Sequence, residues 1–133
     1  MNSVFKANRS CLDDSNSSGI LLIVDDNPLI CRMLSRRLLS SFDALHTACT
    51  KEEAEQHLSK TPVSHLVCDK DLGESAQNGI ALVARWRTEY PSIERAVLFT
   101  GDESTGSATL FPGIDAVVYK TTNFNQLIKS LKR

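Results

Sequence analysis

Long apolar runs are missing from this chain of 133 residues. None approaches the ~18 residues that a membrane-crossing helix needs. An excess of either charge is missing too: 15 Lys and Arg against 16 Asp and Glu leave a formal net charge of -1 and a pI near 6.3, which speaks against a partner that is a polyanion such as nucleic acid. The start of the chain carries no signal-peptide pattern, because Val4-Phe5 stands alone with no hydrophobic stretch behind it. The four cysteines, Cys11, Cys31, Cys49 and Cys68, form no CxxC pair and no metal-ligand spacing. Without an export signal, reduced thiols and a cytoplasmic location are expected. No GxGxxG follows the first apolar run, which excludes the usual dinucleotide-binding turn. Neither an internal repeat nor a composition break marks a second domain, and the length suits a single core.

What remains is a regular alternation. Met1 to Ser18 is polar and ends in Asp13-Asp-Ser-Asn-Ser-Ser18, a composition expected of a flexible tail. The domain is expected over 19–133. Ile20-Leu-Leu-Ile-Val24 has no alternation of apolar and polar residues, as in a strand buried on both faces. Asn27 can cap the helix that follows and Pro28 fits its first position. Ile30, Met33, Leu34 and Leu38 fall on its apolar stripe, with Arg32 and Arg36 on a solvated one. Ala44–Cys49 is a weaker strand. Thr50 with Glu53 has the capping-box pattern and opens a helix that Pro62 closes. His57 and His65 have no partner pattern and are read as structural. Leu66-Val-Cys68 is a third short strand, stopping at Asp69, and a polar loop from Gly73 to Gly79 follows it. A helix is predicted from about Ile80 to Tyr90, then a strand over Arg95–Thr100. Between Glu103 and Pro112, serines, threonines and Gly106 make a poor helix former, so a short or frayed helix is expected there. Ala116-Val-Val-Tyr119 is the last strand. Asn123 can cap a final helix whose stripe is Phe124, Leu127, Ile128 and Leu131. The order is βαβαβαβαβα, and such alternation implies an α/β domain with a parallel sheet covered by helices on both faces.

Parallel strands end on one rim, and there the sequence collects Asp25-Asp26, Asp69, Thr100 and Lys120. Ligands of open α/β sheets bind outside the carboxyl ends of the strands. Clustered carboxylates repel unless a cation joins them, and all-oxygen ligation with room for water suits Mg²⁺. With a cation present, an oxygen of Asp69 can attack phosphorus, Thr100 can hydrogen-bond a phosphoryl oxygen, and Lys120 can neutralise another.

On these residues the chain resembles the response-regulator receiver domain of two-component signalling, of the chemotaxis-regulator type. The resemblance covers about Gly19 to Arg133 and rests on the acidic pair in VDDNP, the aspartate in VCDKDLG, the threonine in LFTG and the lysine in VVYK. The steps of 44, 31 and 20 residues between Asp25, Asp69, Thr100 and Lys120 are similar to the family's. The resemblance implies a doubly wound, flavodoxin-like (βα)5 fold with five parallel strands in the order 2-1-3-4-5. It implies that Asp69 accepts a phosphoryl group from a phosphohistidine on a sensor histidine kinase or histidine phosphotransfer protein. Asp25 and Asp26 would hold Mg²⁺ with Asp69 and the backbone carbonyl of Asp71, while Thr100 and Lys120 would act as switch residues. The downstream partner is left open, a homodimer is one option, and neither direct nucleic-acid binding nor a membrane is expected. A stand-alone receiver and a piece of a larger regulator or hybrid kinase both fit.

The chain departs from the family pattern at several points. Thr121 stands where a proline usually follows the lysine, and Val117 where an aromatic usually sits three residues before it, Tyr119 being elsewhere. Gly101, after the threonine, leaves access to the site open. Asp71 and Asp102, each two residues past a site residue, are read as solvated loop acids, with orientation of a hydrolytic water as the alternative. Two rival functions stand beside the receiver. One is an interaction module that works without phosphorylation. The other is a phosphatase with an aspartate nucleophile, suggested by Asp69-Lys-Asp71 but disfavoured because the acidic pair precedes it.

Overall fold

The computed structural model describes residues 3–6, 19–72, 78–121 and 124–132. Among the described residues six strands form one sheet: β1 (Ser3–Lys6), β2 (Ile20–Val24), β3 (Ala44–Ala48), β4 (His65–Cys68), β5 (Arg95–Thr100) and β6 (Ala116–Tyr119). Their spatial order is β1-β3-β2-β4-β5-β6. The five strands from β2 to β6 are parallel and follow the 2-1-3-4-5 order. The described α-helices that connect or follow them are α1 (Pro28–Leu38), α2 (Lys51–Lys60), α3 (Gly79–Glu89) and α4 (Phe124–Lys132). Among the described residues no helix is long and apolar enough to cross a membrane.

Successive side chains on a strand point to opposite faces, and here that splits the core in two. Leu22, Val24, Leu66, Cys68 and Leu98 pack with Ala54 and Leu58 of α2 and Leu82, Val83 and Trp86 of α3. Leu21, Ile23, Val67, Val97 and Phe99 pack with Leu34 and Leu38 of α1 and Leu127 and Leu131 of α4. Trp86 is fully buried, and its indole N–H donates to Glu55 Oε2 at 3.0 Å, tying α3 to α2. The helix starts use the expected caps. Asn27 Oδ1 accepts from Leu29 N at 3.0 Å, with Pro28 as the first helical residue. Thr50 Oγ1 accepts from Glu53 N at 3.1 Å, and Glu53 in turn accepts from Cys49 N at 2.8 Å. Asn78 caps α3 through Ile80 N at 2.8 Å. The proposed cap at Asn123 lies outside the described residues.

Two expectations need correction. Within the stretch read as a tail, Ser3–Lys6 is a strand, running antiparallel along β3 with Ser3 opposite Thr47 and Lys6 opposite Ala44; residues 7–18 lie outside the description. The short or frayed helix expected between Glu103 and Pro112 is a 3₁₀ turn at Ala108–Leu110, capped by Ser107, as its Ser/Thr/Gly content favours. Met33 is not part of the buried stripe of α1; it is 40% exposed, and Cys31 and Ser35 are buried instead. The histidines are packed: His57 lies against the ring of His46, 4.8 Å between centroids, and His65 Nδ1 is 2.7 Å from Ser64 Oγ.

Candidate functional site

Strands β2, β4, β5 and β6 deliver Asp25, Asp69, Thr100 and Lys120 to one edge, because each of these residues closes or directly follows its apolar run. Backbone bonds fix them there: Asp69 N–H donates to Val24 O at 2.9 Å, Asp25 N–H to Ala48 O at 3.0 Å, and Lys120 N–H to Thr100 O at 2.8 Å. The side chains are withdrawn from water, with Asp25 2%, Asp69 7% and Thr100 0% exposed. Lys120 Nζ lies 2.9 Å from Asp25 Oδ2 and 3.5 Å from Asp69 Oδ2, so one ammonium serves two buried carboxylates. Asp25 spends its other oxygen on the N–H of Asn27, at 2.9 Å.

Burial, followed by the repulsion from Asp25, pushes the Asp69 carboxyl up from 3.8 to about 6, although Lys120 pulls the other way. For Lys120 burial acts downward, but Asp25 and Asp69 outweigh it and its pKa is raised. A net deficit of positive charge is thus built into the rim. Asp26, which is exposed, brings a third carboxylate: oxygens of Asp25, Asp26 and Asp69 lie within 4.8 Å of one another. This donor set, all oxygen and under-neutralised, fits a hard divalent cation. The Asp71 carboxylate is not in the cluster; the Asp71 N–H lies 3.4 Å from Asp69 Oδ1, and Asp71 bridges to Asn78 across the loop.

Two contributors were not visible in the sequence. Gly79, the first residue of α3, approaches the phosphoacceptor candidate so closely that a Cβ there would lie 2.0 Å from the Asp69 carbonyl oxygen, and its N–H donates to Lys70 O at 2.7 Å. The second is an ion pair between Lys70 and Asp102. Asp102 is therefore no merely solvated loop acid. Lys70 and then Ser104 hold its carboxyl down at about 2, and its N–H donates to Thr100 Oγ1 at 3.0 Å. No spacing rule links two loop residues 32 apart, so only the fold reveals this pair.

The departures also acquire a structure. The hydroxyl of Tyr119 donates to Gly106 O at 3.1 Å and accepts from Gly106 N at 3.2 Å. The hydroxyl of Thr121 donates to Glu103 Oε2 at 2.5 Å. Val117 is half-buried and packs against the α2–α3 side of the core. Both Tyr119 and Thr121 thus hold the segment that lacks its helix.

The sequence model of the response regulator receiver domain matches residues 21–132. No curated protein matches significantly. Among solved structures, a response regulator protein from Burkholderia pseudomallei, with a phosphorylated aspartic acid, a calcium ion and citrate, aligns with a TM-score of 0.73 and 25% identity over 85% of this chain. The alignment spans 66% of that longer chain, just under two thirds of its length. The signal receiver domain of an HD domain-containing protein from Pseudomonas fluorescens gives 0.71 and 26% identity, over 86% of this chain and 91% of that one. A CheY-like receiver domain protein from Methanospirillum hungatei gives 0.73 and 22%, over 86% and 90% respectively.

Proposed function

Since the chain belongs to the response regulator receiver domain family, we propose that it works as a phosphoacceptor, a signalling module and not a turnover enzyme, with Asp69 as the site of modification. The observation that carries this reading is the burial of Asp69 beside Asp25, with one ammonium shared between them. A carboxylate so placed is under-neutralised yet reachable from the rim. An Asp69 oxygen bonds to phosphorus as the bond from phosphorus to the donor breaks, and the donor leaves with the electron pair. The natural donor would be a phosphohistidine on a kinase or phosphotransfer protein. Asp25, Asp26 and Asp69, with the carbonyl of Asp71, would hold Mg²⁺, which supplies neutralisation of phosphoryl charge. Lys120 screens the rim from the β6 side, and Thr100, whose oxygen already accepts from Asp102 N–H, keeps its own hydroxyl proton for a phosphoryl oxygen. The module would act in the cytoplasm.

The partner would approach across the start of α1. Leu29 is 67% exposed there, two residues after Asn27, with Met33, Arg32 and Arg36 beyond it. Apolar residues left open at the mouth of a site are suited to a partner face.

The test is labelling with acetyl phosphate, with and without Mg²⁺, on the wild type and Asp69→Asn, read by intact mass. One Mg²⁺-dependent phosphoryl adduct, absent from the variant, is expected. No adduct under any condition would favour the interaction module that works without phosphorylation, a reading kept open by Val117 standing where the family has its aromatic.

A further inference from the structure

Phosphorylation of Asp69 poses a charge problem that Lys120 does not solve alone. Its ammonium is already divided between Asp25 and Asp69, and a phosphoryl group brings a charge of about -1.5 to -2. Two residues past the end of β4, Lys70 carries another ammonium. Its side chain is 19% exposed and its ammonium is paired with Asp102, whose backbone N–H is bonded to Thr100 Oγ1. Lys70 is therefore parked on a carboxylate at the lip of the same site. Asp102 is not dependent on it, because Asp102 Oδ1 also accepts from Ser104 N at 3.0 Å and from Ser104 Oγ at 2.5 Å.

We infer that Lys70 is a second cation of the phosphoryl site, held by Asp102 in the unmodified protein and transferred to a phosphoryl oxygen when Asp69 is modified. This rests on Asp69 being the phosphoacceptor. A phosphoryl dianion attracts an ammonium more strongly than a carboxylate monoanion at equal distance, and charge-assisted bonds to phosphoryl oxygens are among the stronger ones available. The exchange moves one side chain and breaks one ion pair. Asp102, relieved of its cation, is left as an acid at the head of the stretch that Tyr119 and Thr121 hold down. The site would thus speak to that stretch through a lysine and an aspartate, without the aromatic that Val117 replaces.

Partner exchange makes a prediction that a merely structural ion pair does not: the two halves of the pair have effects of opposite sign. The experiment is a titration with beryllofluoride in Mg²⁺, followed by ¹⁹F NMR, alongside acetyl phosphate labelling of the wild type. Lys70→Met is expected to weaken beryllofluoride binding about tenfold, the loss of one charge-assisted bond. Asp102→Asn frees the lysine and is expected to tighten binding about threefold, as expected of removing an exposed competitor. In the Lys70→Met background, Asp102→Asn should change nothing. If both single variants shift the affinity in the same direction, the pair is structural and the exchange is wrong. If Asp102→Asn still tightens binding without Lys70, the effect is plain repulsion and the exchange is again wrong. If the wild type forms no adduct and binds no beryllofluoride, the phosphoacceptor reading itself falls, and the exchange with it.

Discussion

At the ends of β2 and β4 the functional groups are held by the sheet, whereas the stretch from Gly101 to Leu110 is held by side chains reaching into it. Asp25 and Asp69 owe their positions to backbone bonds of the neighbouring strands and to burial. The stretch after β5 has one 3₁₀ turn and leans on Tyr119, Thr121 and Lys70 for its anchors. Leu110, at its tip, is 67% exposed. The first region can hold a reacting carboxylate in a fixed place. The second buries no side chain fully, only Ala108 packing partly against the core, and its polar ties are replaceable, which is the make-up of a segment that opens at low cost. A receiver needs both: a rigid place for chemistry and a loosely tied place where the result is read.

The comparison breaks most readily at Gly79. Gly79→Ala forces a Cβ against the Asp69 carbonyl oxygen, and we expect a loss of about 3 kcal/mol in denaturant unfolding, the upper range for overpacking against backbone. An alanine variant of normal stability would show that the rim is softer than described. The next effect has the opposite sign. In protein stripped of divalent ions, Asp69→Asn should stabilise the fold by about 1–2 kcal/mol, because it removes a carboxyl whose ionised form is disfavoured by burial. The pH dependence follows. The folded protein binds this proton more tightly, at about 6 against the ordinary 3.8, so the penalty is full above about pH 6. It is relieved as the pH falls toward 3.8. Unfolding free energy of the metal-free wild type should therefore rise between pH 7 and 5 relative to the Asn variant, and a flat difference would contradict the assigned burial.

On the other side of the comparison the effects are smaller. Tyr119→Phe removes both bonds to Gly106 and should cost about 1 kcal/mol, with faster amide exchange confined to the stretch after β5 and acetyl phosphate labelling still proceeding. Exchange that spreads into β2 or β4 would mean the two regions are one cooperative unit. Least of all, Leu110→Ser should leave stability within about 0.5 kcal/mol; a larger loss in thermal unfolding would show that the tip is packed.

The same division decides what could be read from the amino acids. Asp25, Asp69, Thr100 and Lys120 were legible because each interrupts an unbroken apolar run, and a parallel sheet must bring such interruptions to one edge. The weakness of the fourth helix was legible as composition. Lys70 with Asp102 was not, since the pair spans two loops on neighbouring strands and obeys no local period. Gly79 looked like one more loop glycine, and only the descent of α3 onto the Asp69 carbonyl gives it a role. Met33 misled because the period of α1 puts it near the stripe, while the buried residues beside it are Cys31 and Ser35.

The antiparallel strand β1 bears on solubility. It covers the outer edge of β3 from Ala44 to Thr47, which would otherwise offer a row of unpaired backbone groups to another chain. A version shortened to begin at Gly19 keeps every rim residue and still spans the family match, yet lays that edge bare. Such a fragment should carry the chemistry intact and pay for it in aggregation.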